Sequence, residues 1–328
     1  MRNTFCLFLL VSTCLNLSAG CGDDDDVVLD AGPADVGDPT DAPDGVDAGV
    51  DVGPPDAGVD AGRPCDGPPG LYTDPRCSVL SAGVLPFNPR YWLWSDGTDK
   101  QRFISVPEGA VIDTSNSDAW VFPRGTRIWK NFDLDGRHLE TRLFEKNGDG
   151  VGIGSWIMRT FQWNESQDGV FEVTEGAENV LGTDHDIPSR AVCVQCHNGR
   201  GQPDVPLGFA AIQLNHGDTS ITLANLNDMG WLSDYVDPST VTVPGEAAAQ
   251  EALGYFHANC SHCHGGDSPM AGLNFKLEVG LDTIRETQTW ITAVSQPSIF
   301  TMDEAVLRIA PGDAARSTAV VRMDSRSE

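Results

Sequence analysis

Two copies of one short pattern constrain this 328-residue chain more than any other feature. They are Cys193-Val194-Gln195-Cys196-His197 and Cys260-Ser261-His262-Cys263-His264. Two thiols three positions apart can add across the two vinyl groups of one haem, and the histidine that follows is then set beneath the iron. A segment loaded in this way must fold around a porphyrin and not only on itself. A Cys-x-x-Cys pair alone also serves as a redox dithiol or half of a zinc site, and two pairs together can make a four-cysteine zinc site. Neither of those uses requires the trailing histidine. With only seven histidines in the chain, one after each pair favours haem. The expectation is two covalent haem c groups, attached at Cys193, Cys196, Cys260 and Cys263, with His197 and His264 as proximal iron ligands.

Covalent haem of this type is attached outside the cytoplasmic membrane, and the N-terminus agrees. Arg2 precedes a short apolar stretch, Phe5 to Leu17, that is too short to span a bilayer. Leu17-Ser18-Ala19-Gly20-Cys21 then resembles a bacterial lipoprotein cleavage box, with Ser18 where such boxes usually carry Leu. Residues 1–21 therefore read as a lipoprotein signal peptide and Cys21 as the lipidated anchor. The expected location is the periplasm or cell surface, tied to a bacterial membrane through the lipid, with the outer membrane favoured. Of nine cysteines, Cys6 and Cys14 leave with the signal, and four belong to the motifs. Cys65 and Cys77 remain, and a disulfide between them is the favoured pairing in an oxidising compartment.

Residues 22–64 repeat Asp-Ala-Gly among Val, Pro and further Asp. Such a tract buries too little apolar surface to offset the entropy of ordering, so it reads as a disordered tether. Between Gly22 and Asp66 the chain carries fourteen Asp and one Arg, −13 of the net charge of −27, leaving −14 on the rest. That balance suits a basic redox partner by electrostatic steering, and no basic stripe for nucleic acid is present.

From 65 to 186 short aromatic and β-branched runs alternate with turn pairs, and six of eight tryptophans fall there. Thr126 to Asp133 and His138 to Glu145 read as strands around Asp135-Gly136; Trp156 to Trp163 and Val170 to Val173 continue the pattern. An antiparallel β-sandwich-like domain, or a meander folding over itself, is expected. Residues 187–244 read as a first haem c module ending in a linker from Asp234 to Pro244. Residues 245–328 read as a second, α-helical cytochrome c-like domain, opened by a helix from Glu246 into the second motif. The whole is an α+β multidomain chain.

Longer matches carry a resemblance. Leu93-Trp94-Ser95-Asp96-Gly97 with Lys100 and Arg102, Phe122-Pro123-Arg124-Gly125-Thr126, Lys130, Glu140-Thr141-Arg142-Leu143, Trp163-Asn164, Pro188-Ser189-Arg190, Leu207-Gly208 and Gln213-Leu214-Asn215 resemble a family of secreted bacterial dihaem c-type cytochromes. The resemblance runs from about Leu85 to His264 and implies a β-rich domain joined to two haem c modules, without naming a substrate. The C-terminal part is similar to a class I cytochrome c domain, through the helix bearing Tyr255 and Phe256, Ala310-Pro311-Gly312-Asp313, Ser317 and Arg322-Met323. That domain has a later Met-Pro-Pro whose methionine is the sixth iron ligand. The sequence ends at Glu328 without one, so this domain reads as incomplete. Met302 and Met323 are the substitute distal candidates for the second haem. For the first haem they are Met229, His216 and His185. His257 and His262 read as packing or surface residues.

The function expected is electron transfer between redox protein partners outside the cytoplasm. Two alternatives stay open: a haem-dependent, peroxidase-like oxidoreductase, and a polymer-binding module with attached haems. No catalytic triad or phosphate loop argues for other chemistry.

Overall fold

The protein is described here by a computed structural model covering residues 65–94, 97–198, 204–266 and 272–324. The signal segment, Cys21 and the tether lie outside the described residues. Six strands form one antiparallel sheet whose spatial order follows the chain: β1 (Leu85–Pro86), β2 (Asp99–Ser105), β3 (Arg127–Leu134), β4 (Arg137–Lys146), β5 (Trp156–Trp163) and β6 (Val170–Glu172). The turn between β3 and β4 is set by Asp135-Gly136. Both residues hold positive φ, 51° and 77°, as a two-residue hairpin loop of the mirror-image type demands.

Alternation along the strands gives the sheet two unlike faces. Phe103, Trp129 and Leu143 are direct neighbours in register and pack with Leu71, Val84 and Phe161 beneath one face. Ile104, Ile128, Phe144 and Met158 form the matching row on the other. This second face is covered by chain from both sides of the sheet in sequence, including Phe87, Trp120, Phe209, Leu214 and Leu226. The strands expected as a sandwich-like domain thus join a single meander. Strand patterning reveals that each strand has a buried side but is silent on what covers it.

The cover is built of short helices and loops: α1 (Cys193–Cys196), α2 (Ala211–Leu214), α3 (Leu223–Asp228) and the longer α4 (Ala247–Asn259). Residues 234–244, which read as a linker, are packed: Val236, Val241 and Val243 lie in the main core, and Asn215 Nδ2 donates to the carbonyls of Pro238 and Val241. A smaller core around Phe275, Ala293, Val294, Ile309 and Val320 gathers α5 (Gln288–Ala293), the hairpin β7 (Pro297–Met302) and β8 (Ala305–Leu307), and α6 (Thr318–Asp324). The two regions meet at α4. Gly254 lies so close to the Tyr91 ring that a Cβ there would overlap it. Asn259 caps the contact, with its Oδ1 accepting from Trp94 N at 2.8 Å and its Nδ2 donating to Trp92 O at 3.2 Å. A disulfide joins Cys65 to Cys77. No helix among the described residues is long and apolar enough to cross a membrane.

Candidate metal and haem centre

Each motif closes the same local turn. His197 N donates to Cys193 O at 3.0 Å, and His264 N donates to Cys260 O at 2.7 Å. This helical step places the two thiols of each motif on one side, with the imidazole one residue further on.

The sheet fixes the first motif. Lys146, at the end of β4, is wholly enclosed and bonds both carboxylate oxygens of Asp204, at 2.7 and 2.6 Å. Asp204 also accepts from Trp156 Nε1 at 2.5 Å and Phe122 N at 3.0 Å. The next residue, Val205, offers its carbonyl to His197 Nδ1 at 2.9 Å. A carbonyl only accepts, so Nδ1 carries the proton and Nε2 keeps its lone pair. Burial pushes His197 down to about 4, with Lys130 and Arg142 adding to the effect and the Val205 bond opposing it. The ring is therefore neutral near pH 7, and Phe144 holds it edge-on at 4.6 Å. A neutral imidazole whose second nitrogen donates to a backbone carbonyl is the arrangement metal-binding histidines adopt. With the two thiols beside it, this donor set fits a covalently attached haem at the first motif.

The second motif rests on the small core. Cys260 packs there with Phe256 and Met323. Phe256 stacks on Phe275 at 4.7 Å, and Phe275 meets the edge of His264 at 6.0 Å. The folding of α4 onto the main core then brings the motifs together: the sulfurs of Cys196 and Cys263 and one nitrogen of His262 lie within 4.8 Å of one another. This Cys-Cys-His cluster could hold a metal ion. Burial raises the Cys193 thiol above its ordinary value, so that sulfur is the less ready to ionise.

Next to the first motif the sheet carries a row of cations. Arg102, Lys130 and Arg142 are direct cross-strand partners on β2, β3 and β4, one row along from Ile104, Ile128 and Phe144. Lys100 belongs to the adjoining row, opposite Phe132, which in turn faces Glu140. Arg142 and Lys130 lie over the Phe132 ring at 4.4 and 4.6 Å, and Arg102 lies over Trp92 at 5.4 Å. Burial lowers Arg102 to about 10. Lys130 falls well below the usual lysine range through burial and through the charges of Arg102, Arg142 and Lys100. Glu140 bonds Arg142 Nε at 2.5 Å and His185 Nε2 at 2.9 Å, which holds it below the ordinary carboxylate value despite its burial.

The distal candidates separate clearly. His216 uses both ring nitrogens within its own neighbourhood: Nε2 bonds Asn88 O at 2.8 Å and Nδ1 accepts from Asp218 N at 3.3 Å. Both ring nitrogens are thus engaged by the backbone in this conformation. His185 is buried and tied to Glu140 through Nε2. Met229 is an exposed residue at the end of α3. Met302 is partly buried at the end of β7, and Met323 shares the small core with Cys260. His257, read from the sequence as a packing or surface residue, accepts through Nδ1 from Leu277 N at 3.1 Å.

Sequence reasoning missed three contributors. Asp204 and Lys146 lie 58 positions apart, with no local signal to pair them. His262 reads as incidental inside its motif, yet it lies beside Cys196; a third donor between two cysteines was the available hint. The chain matches no family model, no curated protein and no solved structure.

Proposed function

We propose that this chain is an exported dihaem c-type cytochrome that passes electrons between redox proteins outside the cytoplasm. The observation that carries this reading is His197: a neutral ring with its Nδ1 proton committed to Val205, its Nε2 lone pair retained, and two thiols within the helical turn that precedes it. The haem would supply one-electron oxidation and reduction at iron. The chain's own residues attach it, orient the proximal imidazole and fix that imidazole's tautomer through the Asp204–Lys146 anchor. The approach of Cys196 to Cys263 supports two redox groups lying side by side, a short step for an electron. The acidic surface suits a basic partner. The signal segment, Cys21 and the tether support a lipid-anchored protein held away from its membrane.

One observation favours a second reading. The cluster Cys196–His262–Cys263 offers a zinc-like donor set without haem. Expression of the mature chain alongside a c-type maturation system separates the two. Intact mass and an alkaline pyridine haemochrome spectrum should give two haems per chain, and the Cys193→Ala/Cys196→Ala variant should retain one. Absence of covalent haem, with zinc bound and lost on changing His262, would replace the cytochrome reading.

A further inference from the structure

Among the described residues, the row Arg102, Lys130 and Arg142 brings three cations together beside one carboxylate, Glu140. Arg102 is 6% exposed. Like charges directly opposite one another on neighbouring strands are unfavourable, and Arg102, Lys130 and Arg142 sit in that relation. Among the described residues, Glu140 is the carboxylate of their face, and it is already shared between Arg142 and His185. Arg102 Nη1 is fully enclosed and has no hydrogen-bond partner. A buried guanidinium nitrogen left in that state is destabilising unless an acceptor meets it. Phe144, in the next row along from Lys130 and Arg142, meets the His197 ring at 4.6 Å, so the row borders the first motif.

We propose that Arg102, Lys130 and Arg142 form a carboxylate seat that holds the propionates of the haem carried by Cys193 and Cys196. The inference rests on the haem reading of that motif. Its chemistry is specific: guanidinium groups match carboxylates through paired, planar hydrogen bonds, and a compact ammonium adds charge without fixing direction. Two propionates would supply an acceptor for Arg102 Nη1 and negative charge beside Lys130. They would also orient the porphyrin over the row holding Phe144, against which His197 already stands. A free carboxylate bound from solution would offer the same chemistry, and the test separates that source from the haem.

Arg102→Gln, Arg102→Lys and Lys130→Gln are produced in the full mature chain with c-type maturation, with Arg127→Gln on the opposite sheet face as the control. Intact mass counts haems first. With two haems present, resonance Raman should show the propionate bending bands of one haem shifted in Arg102→Gln and Lys130→Gln, restored in Arg102→Lys, and unchanged in Arg127→Gln. Loss of a positive charge disfavours the reduced haem, so its electron affinity should fall about tenfold, equivalent to about 59 mV for a one-electron couple. Lys130→Gln carries the same test if Arg102→Gln does not accumulate. Unchanged bands and potential in fully loaded variants would overturn the seat while leaving the haem reading intact. Absence of covalent haem in the wild-type chain would instead overturn the reading beneath it. In the third arm, the Cys193→Ala/Cys196→Ala chain is titrated with succinate. Binding abolished by Arg102→Gln, together with unresponsive propionate bands in the loaded protein, would assign the site to a free carboxylate and overturn the proposal.

Discussion

Replacing Asp204 with Ala strands a charge in the interior. Lys146 has no exposed side-chain surface and directs its ammonium at both oxygens of Asp204. Trp156 Nε1 and Phe122 N lose their acceptor at the same time. Breaking a buried pair by removing one partner costs about 3–5 kcal/mol, because the surviving ion is uncompensated. At about 2–4 °C of Tm per kcal/mol for a fold of this size, a loss of about 4 kcal/mol lowers Tm by about 8–16 °C. Guanidinium unfolding followed by tryptophan fluorescence measures the change directly, since Trp156 touches the site. The double variant Lys146→Met/Asp204→Leu removes both charges and should recover most of the loss. The reasoning fails if Asp204→Ala stays within about 1 kcal/mol of wild type. It fails equally if the double variant is no more stable than the single one. Covalent haem at the first motif should drop in Asp204→Ala, because Val205, the partner of His197, follows directly in the chain.

Two further changes probe the second motif and the contact that positions it. Burial lowers His257 from 6.5 to about 4, so below pH 6.5 the unfolded chain takes up a proton that the folded chain refuses. Stability should therefore fall from about pH 6.5 to about pH 4, by about tenfold in the folding constant per pH unit, and be flat in this respect above pH 6.5. In His257→Gln, which keeps an acceptor for Leu277 N, that part of the slope should vanish; an identical slope in urea titrations of both proteins would refute it. Gly254→Ala forces a methyl group into the Tyr91 ring and should cost about 1–3 kcal/mol. Pairing it with Tyr91→Ala should give a clearly non-additive double-mutant cycle, and simple additivity would remove the contact from the account.

Local rules made much of the fold readable. Asp135-Gly136 announced the β3–β4 hairpin, and strands at 126–133, 138–145 and 156–163 fall within a residue or two of those observed. The helix entering the second motif was equally plain from its run of Ala, Glu and Leu, though it ends at Asn259, before the cysteines. What escaped depends on contacts between distant segments. Lys100 and Arg102 alternate with Gln101 and Phe103 in a pattern that suggests a solvated side, yet the face they share with Ile104 is covered. Val236, Val241 and Val243 sit among prolines and polar residues, and only the assembled core shows that they are buried. The thiols and the two motif histidines were unmistakable as a pattern, whereas the tautomer of His197 could be read only from Val205.

The order of the strands bears on how the molecule is assembled. Each strand pairs with the one just before it in the chain, so the sheet forms without a crossover, its longest connection being residues 106–126 between β2 and β3. Residues 85–172 can complete it before either motif is in place, and Phe144, Lys146 and the row of cations belong to that early piece. The thiols at 193–196 and 260–263 come later in the chain. Under the haem reading, a maturation enzyme would meet these thiols on a platform encoded wholly upstream of them, and the contact of α4 with Tyr91 would close the structure over the attached groups.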